Sequence, residues 1–195
     1  MNKIQIFCDM DGVLVNFEKG VVDYINSDLQ DSSRIPNNLE ADLEILRKKL
    51  LSLGRKTQID IADLTRDPQK KIIEVRNYMY KRVSDDHDFW VNLRWTSDGQ
   101  ELWDYIKDIS PEIIILTAPM PGKGCITGKK AWVDEKLGPG MNVIIEEDKF
   151  IYSGSNKLLI DDTYSKIGPW AKKGGLIIHH KNTSQTIEQL KLLSL

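Results

Sequence analysis

Ile4-Gln5-Ile6-Phe7-Cys8-Asp9-Met10-Asp11-Gly12 is the stretch whose reading decides the fold. A short, mostly apolar run leads directly into two acids one residue apart, then a glycine. Such a run, bounded by turn residues, reads as a buried strand of a parallel sheet. Alternate residues of an extended strand share a face, so Asp9 and Asp11 can lean toward one site where the strand ends. Gly12 supplies the turn that follows. Taken alone, the D-x-D-G pattern also fits a surface Asp-Gly turn.

Two later runs repeat the design. Ile113-Ile114-Ile115-Leu116 leads into Thr117-Ala118-Pro119, and Leu158-Leu159-Ile160 leads into Asp161-Asp162. Each ending has an ordinary reading by itself, because an Asp pair or a threonine can simply cap the next helix. The order of all three carries the weight. In open parallel sheets ligands bind beyond the carboxyl ends of the strands, so Asp9, Asp11, Asp161, Asp162 and Thr117 are expected at one spot. Carboxylates crowded together repel unless protons or a cation offset them, and all-oxygen ligands of this kind suit Mg²⁺.

Working outward, the first strand covers residues 3–8 and is followed by helical periodicity without a strand. Residues 18–29 form a helix with Val21, Val22 and Ile25 inward. Residues 39–53 repeat leucine at helical spacing (Leu39, Leu43, Leu46, Leu50, Leu53) and stop at Gly54. Asp67-Pro68 reads as an N-cap with proline at the first helical position, opening a helix to about residue 82. From Ser97 strands and helices alternate. Helices are expected at 99–108, 128–137, 164–172 and 186–193, and strands after Pro111 and at 142–146, 157–160 and 176–180. The pattern predicts an α/β chain with a doubly wound parallel sheet, a Rossmann-like core, and a helical cap inserted after the first strand. The expected boundaries are 1–16 and 95–195 for the core and 17–94 for the cap. The aromatic stretch from Phe89 to Trp95 reads as hinge packing between them. Trp103 and Trp132 read as core residues, and His87, His179 and His180 receive no role.

Bulk composition excludes several classes. The 195 residues carry a net charge of −2, with 29% charged and 41% hydrophobic side chains, as in an ordinary soluble globular protein. Duplex DNA binders show a strongly basic face, so a duplex nucleic-acid partner is not expected. The N-terminal residues lack the apolar run of a secretion signal. No stretch approaches the roughly 20 apolar residues of a membrane span. The two cysteines, Cys8 and Cys125, have no metal-ligand spacing, which points to a reduced, cytoplasmic chain.

These motifs resemble those of the haloacid dehalogenase-like phosphatase superfamily, which has a D-x-D, a Ser or Thr after a strand, a lysine, and a late acidic pair. The finer resemblance is to the 5′(3′)-deoxyribonucleotidase family. It rests on Asp9-Met10-Asp11-Gly12-Val13-Leu14 with Phe17, on Thr117-Ala118-Pro119, on Lys129-Lys130-Ala131-Trp132-Val133 through Gly138, and on Leu158–Asp162. It spans the core and is loose across residues 18–90.

The resemblance implies an Mg²⁺-dependent hydrolysis of (deoxy)nucleoside monophosphates. Asp9 would be the nucleophile and Asp11 the general acid and base. Asp9, the Asp11 backbone carbonyl, Asp161 and Asp162 would hold the metal. Thr117 and the Ala118 N–H would bind phosphate oxygens. Lys149 would offset their charge, with Lys129, placed at a helix start, as second candidate. Phe17 would stack on the base, unless it serves only to staple the following helix. A homodimer would be consistent with the same resemblance. Rival readings are a broader phosphomonoesterase for sugar or polynucleotide-end phosphates, a receiver-type signalling domain, which would lack the insert, and a non-catalytic nucleotide-binding protein.

Overall fold

The computed structural model describes residues 3–55, 58–65, 67 and 69–193. In chain order the helices are α1 (Phe17–Gln30), α2 (Glu40–Ser52), α3 (Ile73–Val83), α4 (His87–Val91), α5 (Gly99–Ile109), α6 (Lys123–Leu137), α7 (Tyr164–Lys172) and α8 (Thr183–Leu192). The chain divides into two compact units. One holds Met1–Asn16, Leu93–Pro119 and Lys130–Leu195; the other holds Phe17–Asn92 and Met120–Lys129.

The first unit contains the predicted sheet. Strands β1 (Gln5–Cys8), β2 (Ile113–Thr117), β3 (Asn142–Ile145), β4 (Lys157–Asp161) and β5 (Leu176–His179) pair in the order β3-β2-β1-β4-β5. Every pairing is parallel. All five residues of β2 are buried, as expected of a strand covered on both faces. One face carries Phe7, Ile114, Leu116 and Leu159, packed against Ile167 and Trp170 of α7. Phe7 and Trp170 meet edge to face at 5.1 Å. By alternation Ile6, Cys8, Ile115, Leu158 and Ile160 occupy the other face, and all five are fully buried. The strand order has a direct consequence. The chain moves outward from β1 through β2 to β3, then returns to β4 on the opposite side of β1. The sheet therefore has its topological switch point between β1 and β4, where ligand crevices open in sheets of this kind.

The second unit is helical. Val21, Val22, Ile25 and Leu29 of α1 are buried, as are Leu43, Leu46 and Leu50 of α2. Leu53, which continues the leucine spacing, lies beyond the end of α2 and is 52% exposed. A buried polar network ties this unit together. Arg82 Nε donates to Asp28 at 2.8 Å and Arg82 Nη1 to Asp86 at 2.6 Å. The Tyr78 hydroxyl donates to Asp28 at 2.8 Å. The Tyr24 hydroxyl donates to Asp86, and the Tyr24 ring lies 4.2 Å from the Arg82 guanidinium carbon.

Several element boundaries differ from the sequence reading. The α3 helix starts at Ile73 and not at Asp67-Pro68; Asp67 instead accepts from the Gln69 N–H at 3.0 Å in a local turn, and Pro68 lies outside the described residues. An unforeseen helix, α4, is capped by Asp86, whose carboxylate accepts from Phe89 N at 2.9 Å. The α8 helix starts at Thr183, because Asn182 is the cap that accepts from Gln185 N at 2.9 Å. The α6 helix starts at Lys123, five residues before the expected position.

The early start of α6 explains why Met120–Lys129 groups with the helical unit. Lys123 N donates to Asp85 Oδ1 at 2.8 Å and Cys125 N to Ser84 O at 2.8 Å. A Cβ at Gly124 would sit 2.2 Å from the Asp85 carbonyl carbon, so only glycine admits this contact. Alanine normally gains about 1 kcal/mol over glycine inside a helix. Gly124→Ala should nonetheless destabilise the protein by about 1–3 kcal/mol through overpacking, measured by urea denaturation. A neutral or stabilising result would contradict the packing described.

Candidate active site

Asp9 follows β1 directly, and its N–H donates to Ile160 O at 2.9 Å. Cys8 pairs with Ile160 across β1 and β4. One step further, Asp9 therefore stands level with Asp161 on the adjacent strand, at the switch point. The structure brings a third acid to them: carboxylate oxygens of Asp9, Asp161 and Asp162 lie within 4.8 Å of one another. Asp9 and Asp161 are buried, whereas Asp162 is exposed at the rim.

Lys149 enters this cluster from the turn Lys149–Tyr152. Its ammonium lies 2.7 Å from Asp9 Oδ1 and 2.7 Å from Asp161 Oδ2, with the side chain 1% exposed. Burial works against the charged form of Lys149, but Asp9 and Asp161 outweigh it and hold its pKa above the ordinary lysine value. Backbone groups donate to the cluster as well. Met10 N donates to Asp9 Oδ1 at 2.7 Å, and Thr163 N to Asp161 Oδ1 at 2.8 Å.

The turn after β1 is built to admit Asp162. Gly12 has φ +79°, and a Cβ there would meet Asp162 Oδ2 at 2.5 Å. Leu14 N and Val15 N both donate to Met10 O at 2.9 Å, closing the turn tightly. Asp11 sits on this turn, between Met10 and Gly12.

Thr117 is the last residue of β2 and is fully buried; Ala118 is half-buried beside it. The Thr117 carbonyl accepts from Glu146 N at 2.9 Å, which ties this strand end to the segment leading to Lys149. Of the two candidate lysines, Lys149 has its ammonium against Asp9 and Asp161. Lys129 belongs to the helical unit and lies within α6, not at its start, so the expected help from free helix N–H groups does not apply. It is buried, with its ammonium 5.0 Å from the Trp90 ring centre. Phe17 opens α1 and stacks on Trp90 at 5.3 Å with the rings 14° apart, while Phe89 meets Phe17 edge-on at 6.2 Å.

One contact was not foreseen from the sequence. His179 ends β5 level with Asp161, and its Nε2 lies 2.9 Å from the Asp162 carbonyl oxygen. A carbonyl only accepts, so Nε2 carries the proton and donates. The available signal was positional: His179 ends its strand as Asp161 ends the neighbouring one.

The charges fit a divalent cation. Asp9, Asp161 and Asp162 contribute three carboxylates and Lys149 one ammonium, and hard oxygen donors at this separation suit Mg²⁺. The crowding raises the proton affinity of the two late acids. Burial, then the Asp9 charge, push Asp161 up to about 7; desolvation, then Asp9, push Asp162 up to about 6.

No family model matches the chain, and no curated protein sequence matches it significantly. Solved structures do. A hydrolase from Streptococcus pneumoniae TIGR4 superposes with TM-score 0.53 at 11% identity, covering 98% of this chain and 100% of that one. A Had-superfamily hydrolase from Ehrlichia chaffeensis gives TM-score 0.53 at 14% identity, covering 100% of both chains. At these identities the likeness is one of fold: the five-stranded parallel sheet is that of the haloacid dehalogenase-like architecture. Among the described residues no helix is long and apolar enough to cross a membrane.

The raised carboxyls give a pH dependence with a definite sign. Folded and free of metal, Asp161 and Asp162 keep protons that an unfolded chain releases near 3.8. The metal-free fold therefore loses stability as pH rises from that value toward 7, and a cation that displaces those protons gains affinity over the same range. The rise in melting temperature on adding Mg²⁺ to chelator-treated protein should be small near about pH 5 and level off above about pH 7. An increment independent of pH would contradict the protonated cluster.

Proposed function

We propose that this chain is an Mg²⁺-dependent phosphatase that cleaves (deoxy)nucleoside monophosphates through a phosphoaspartate on Asp9. The observation that carries the reading is the Lys149 ammonium held at 2.7 Å from both Asp9 and Asp161 at the switch point of a parallel sheet. An anionic carboxylate attacking an anionic phosphate needs offsetting positive charge, and here one fixed cation already stands at the nucleophile.

Asp9, Asp161 and Asp162 would hold Mg²⁺, with the Asp11 backbone carbonyl as a further oxygen ligand. The ion would supply Lewis-acid neutralisation of phosphoryl charge. The chain's own residues do the rest. The Asp9 carboxylate attacks phosphorus, forming an acyl phosphate as the ester P–O bond breaks. Asp11, on the tight turn after β1, gives its proton to the departing ester oxygen. It then takes a proton from the water that attacks phosphorus, releasing inorganic phosphate and restoring Asp9. The buried hydroxyl of Thr117 and the N–H of Ala118 bind phosphoryl oxygens, and Lys149 offsets their charge.

The nucleotide preference draws on the motif resemblance and on the aromatic group in the helical unit. Phe17, half-buried at the start of α1, is the ring of this group that would stack on a base, with the buried rings of Trp90 and Phe89 packed behind it. Lys129 beside Trp90 adds a cation in the same unit.

The test is a panel of nucleoside monophosphates and non-nucleotide phosphate esters assayed with Mg²⁺. Wild type should favour the nucleotides, Asp9→Asn should abolish turnover, and Asp11→Asn should lower kcat by about 10²–10⁴-fold. Wild-type rates in Asp9→Asn would remove the mechanism. Preference for sugar phosphates or polynucleotide ends would remove the substrate assignment alone.

A further inference from the structure

Lys149 must be held in place, because the turn that carries it does not continue a strand or helix directly. Residues Glu146, Glu147 and Asp148 separate β3 from that turn. One helix brackets the segment on both sides. Before the turn, Lys166 of α7 donates from Nζ to the Glu147 backbone oxygen at 2.9 Å and to the Glu147 carboxylate. After it, the Ser153 hydroxyl donates to the Trp170 carbonyl of the same helix at 2.7 Å.

The N-terminus of α7 is in turn fixed to the acid cluster. Thr163 caps the helix, and its N–H donates to Asp161 Oδ1. Lys166 closes the first turn, with its own N–H donating to Thr163 O at 2.9 Å. A single side chain thus links the loop that delivers Lys149 to the helix turn that orients Asp161. The Lys166 side chain is 19% exposed and Glu147 64% exposed. An ion pair this open is worth little as stability, so the bond to the backbone oxygen is the informative one. Ion pairing to a loop carboxylate alone would tolerate loop movement; a lysine clamped on the peptide carbonyl would not.

We infer that Lys166 is a positioning residue, which sets Lys149 against Asp9 and Asp161 by clamping the Glu147 carbonyl. This rests on the proposed phosphatase reading for its effect on rate, though not for its effect on the loop. Misplacing a catalytic group by about 1 Å can cost about 10²-fold.

The experiment compares wild type, Lys166→Met, Lys166→Arg, Lys149→Met and the Lys166→Met/Lys149→Met double variant. Each is assayed with Mg²⁺ on a simple phosphate ester and followed by amide hydrogen exchange over residues 146–152. Lys166→Met should lower kcat by about 10–100-fold with KM little changed, and Lys166→Arg should restore most of it. In the Lys149→Met background the same substitution should cost less than about 2-fold, because the group it positions is gone. Exchange at 146–152 should quicken in Lys166→Met while exchange in β1 and β2 stays slow. An equal loss in both backgrounds, or unchanged exchange at 146–152, would overturn the inference. A wild type without esterase activity would instead count against the phosphatase reading, and the exchange result would still decide the clamp.

Discussion

The Lys149 ammonium, shared between Asp9 and Asp161, is the interaction on which the rest of the structure depends. Taking an ammonium and two carboxylates out of water costs several kcal/mol per ion, and only close mutual contact offsets that cost. Remove Lys149 and two acids face each other across adjacent strands; remove either acid and a buried ammonium loses half its compensation. A core designed for stability alone would place apolar residues there. On the proposed reading, the fixed ammonium offsets phosphoryl charge once a cation has offset the carboxylates.

The fold supplies that field with little improvisation. Parallel pairing of β1 with β4 puts Asp9 level with Asp161. The strand-order reversal at β1 leaves the space beyond both strand ends to a ligand. Gly12 lets the following turn approach Asp162 closely, and a peptide N–H holds each of Asp9 and Asp161. The helical unit is organised differently. Its interior carries a hydrogen-bonded set around Arg82, and Asp86 in that set also caps α4, the helix that presents Phe89 and Trp90. The acid cluster and the aromatic group thus belong to separate compact units.

Much of the sheet was legible because buried parallel strands leave an unambiguous signature. Residues 113–116 and 158–160 are apolar without a break, and each ends where the chemistry begins. The acids at positions 9, 161 and 162 were legible for the same reason. The place of Lys149 beside Asp9 and Asp161 was not, because a lysine that reaches a site from an irregular turn carries no periodic signal. Lys166 and His179 were invisible for a related reason: each works by contacting a backbone carbonyl, and sequence does not record which carbonyl lies near. The grouping of Met120–Lys129 with the helical unit depends on a glycine contact at Asp85, a long-range steric fact. The helix starts at Ile73 and Thr183 went astray where one capping signal, Asp67, closed a local turn and another, Asn182, went unread.

A crystal structure grown with Mn²⁺ in place of Mg²⁺, with the ion located by its anomalous scattering, tests the central claim most directly. The account predicts an ion bonded at about 2.2 Å to oxygens of Asp9 and of Asp161 or Asp162, with the Lys149 ammonium still hydrogen-bonded to at least one of its two acids. An ion bound elsewhere, or an Asp9 carboxylate turned away from the ion, would contradict it.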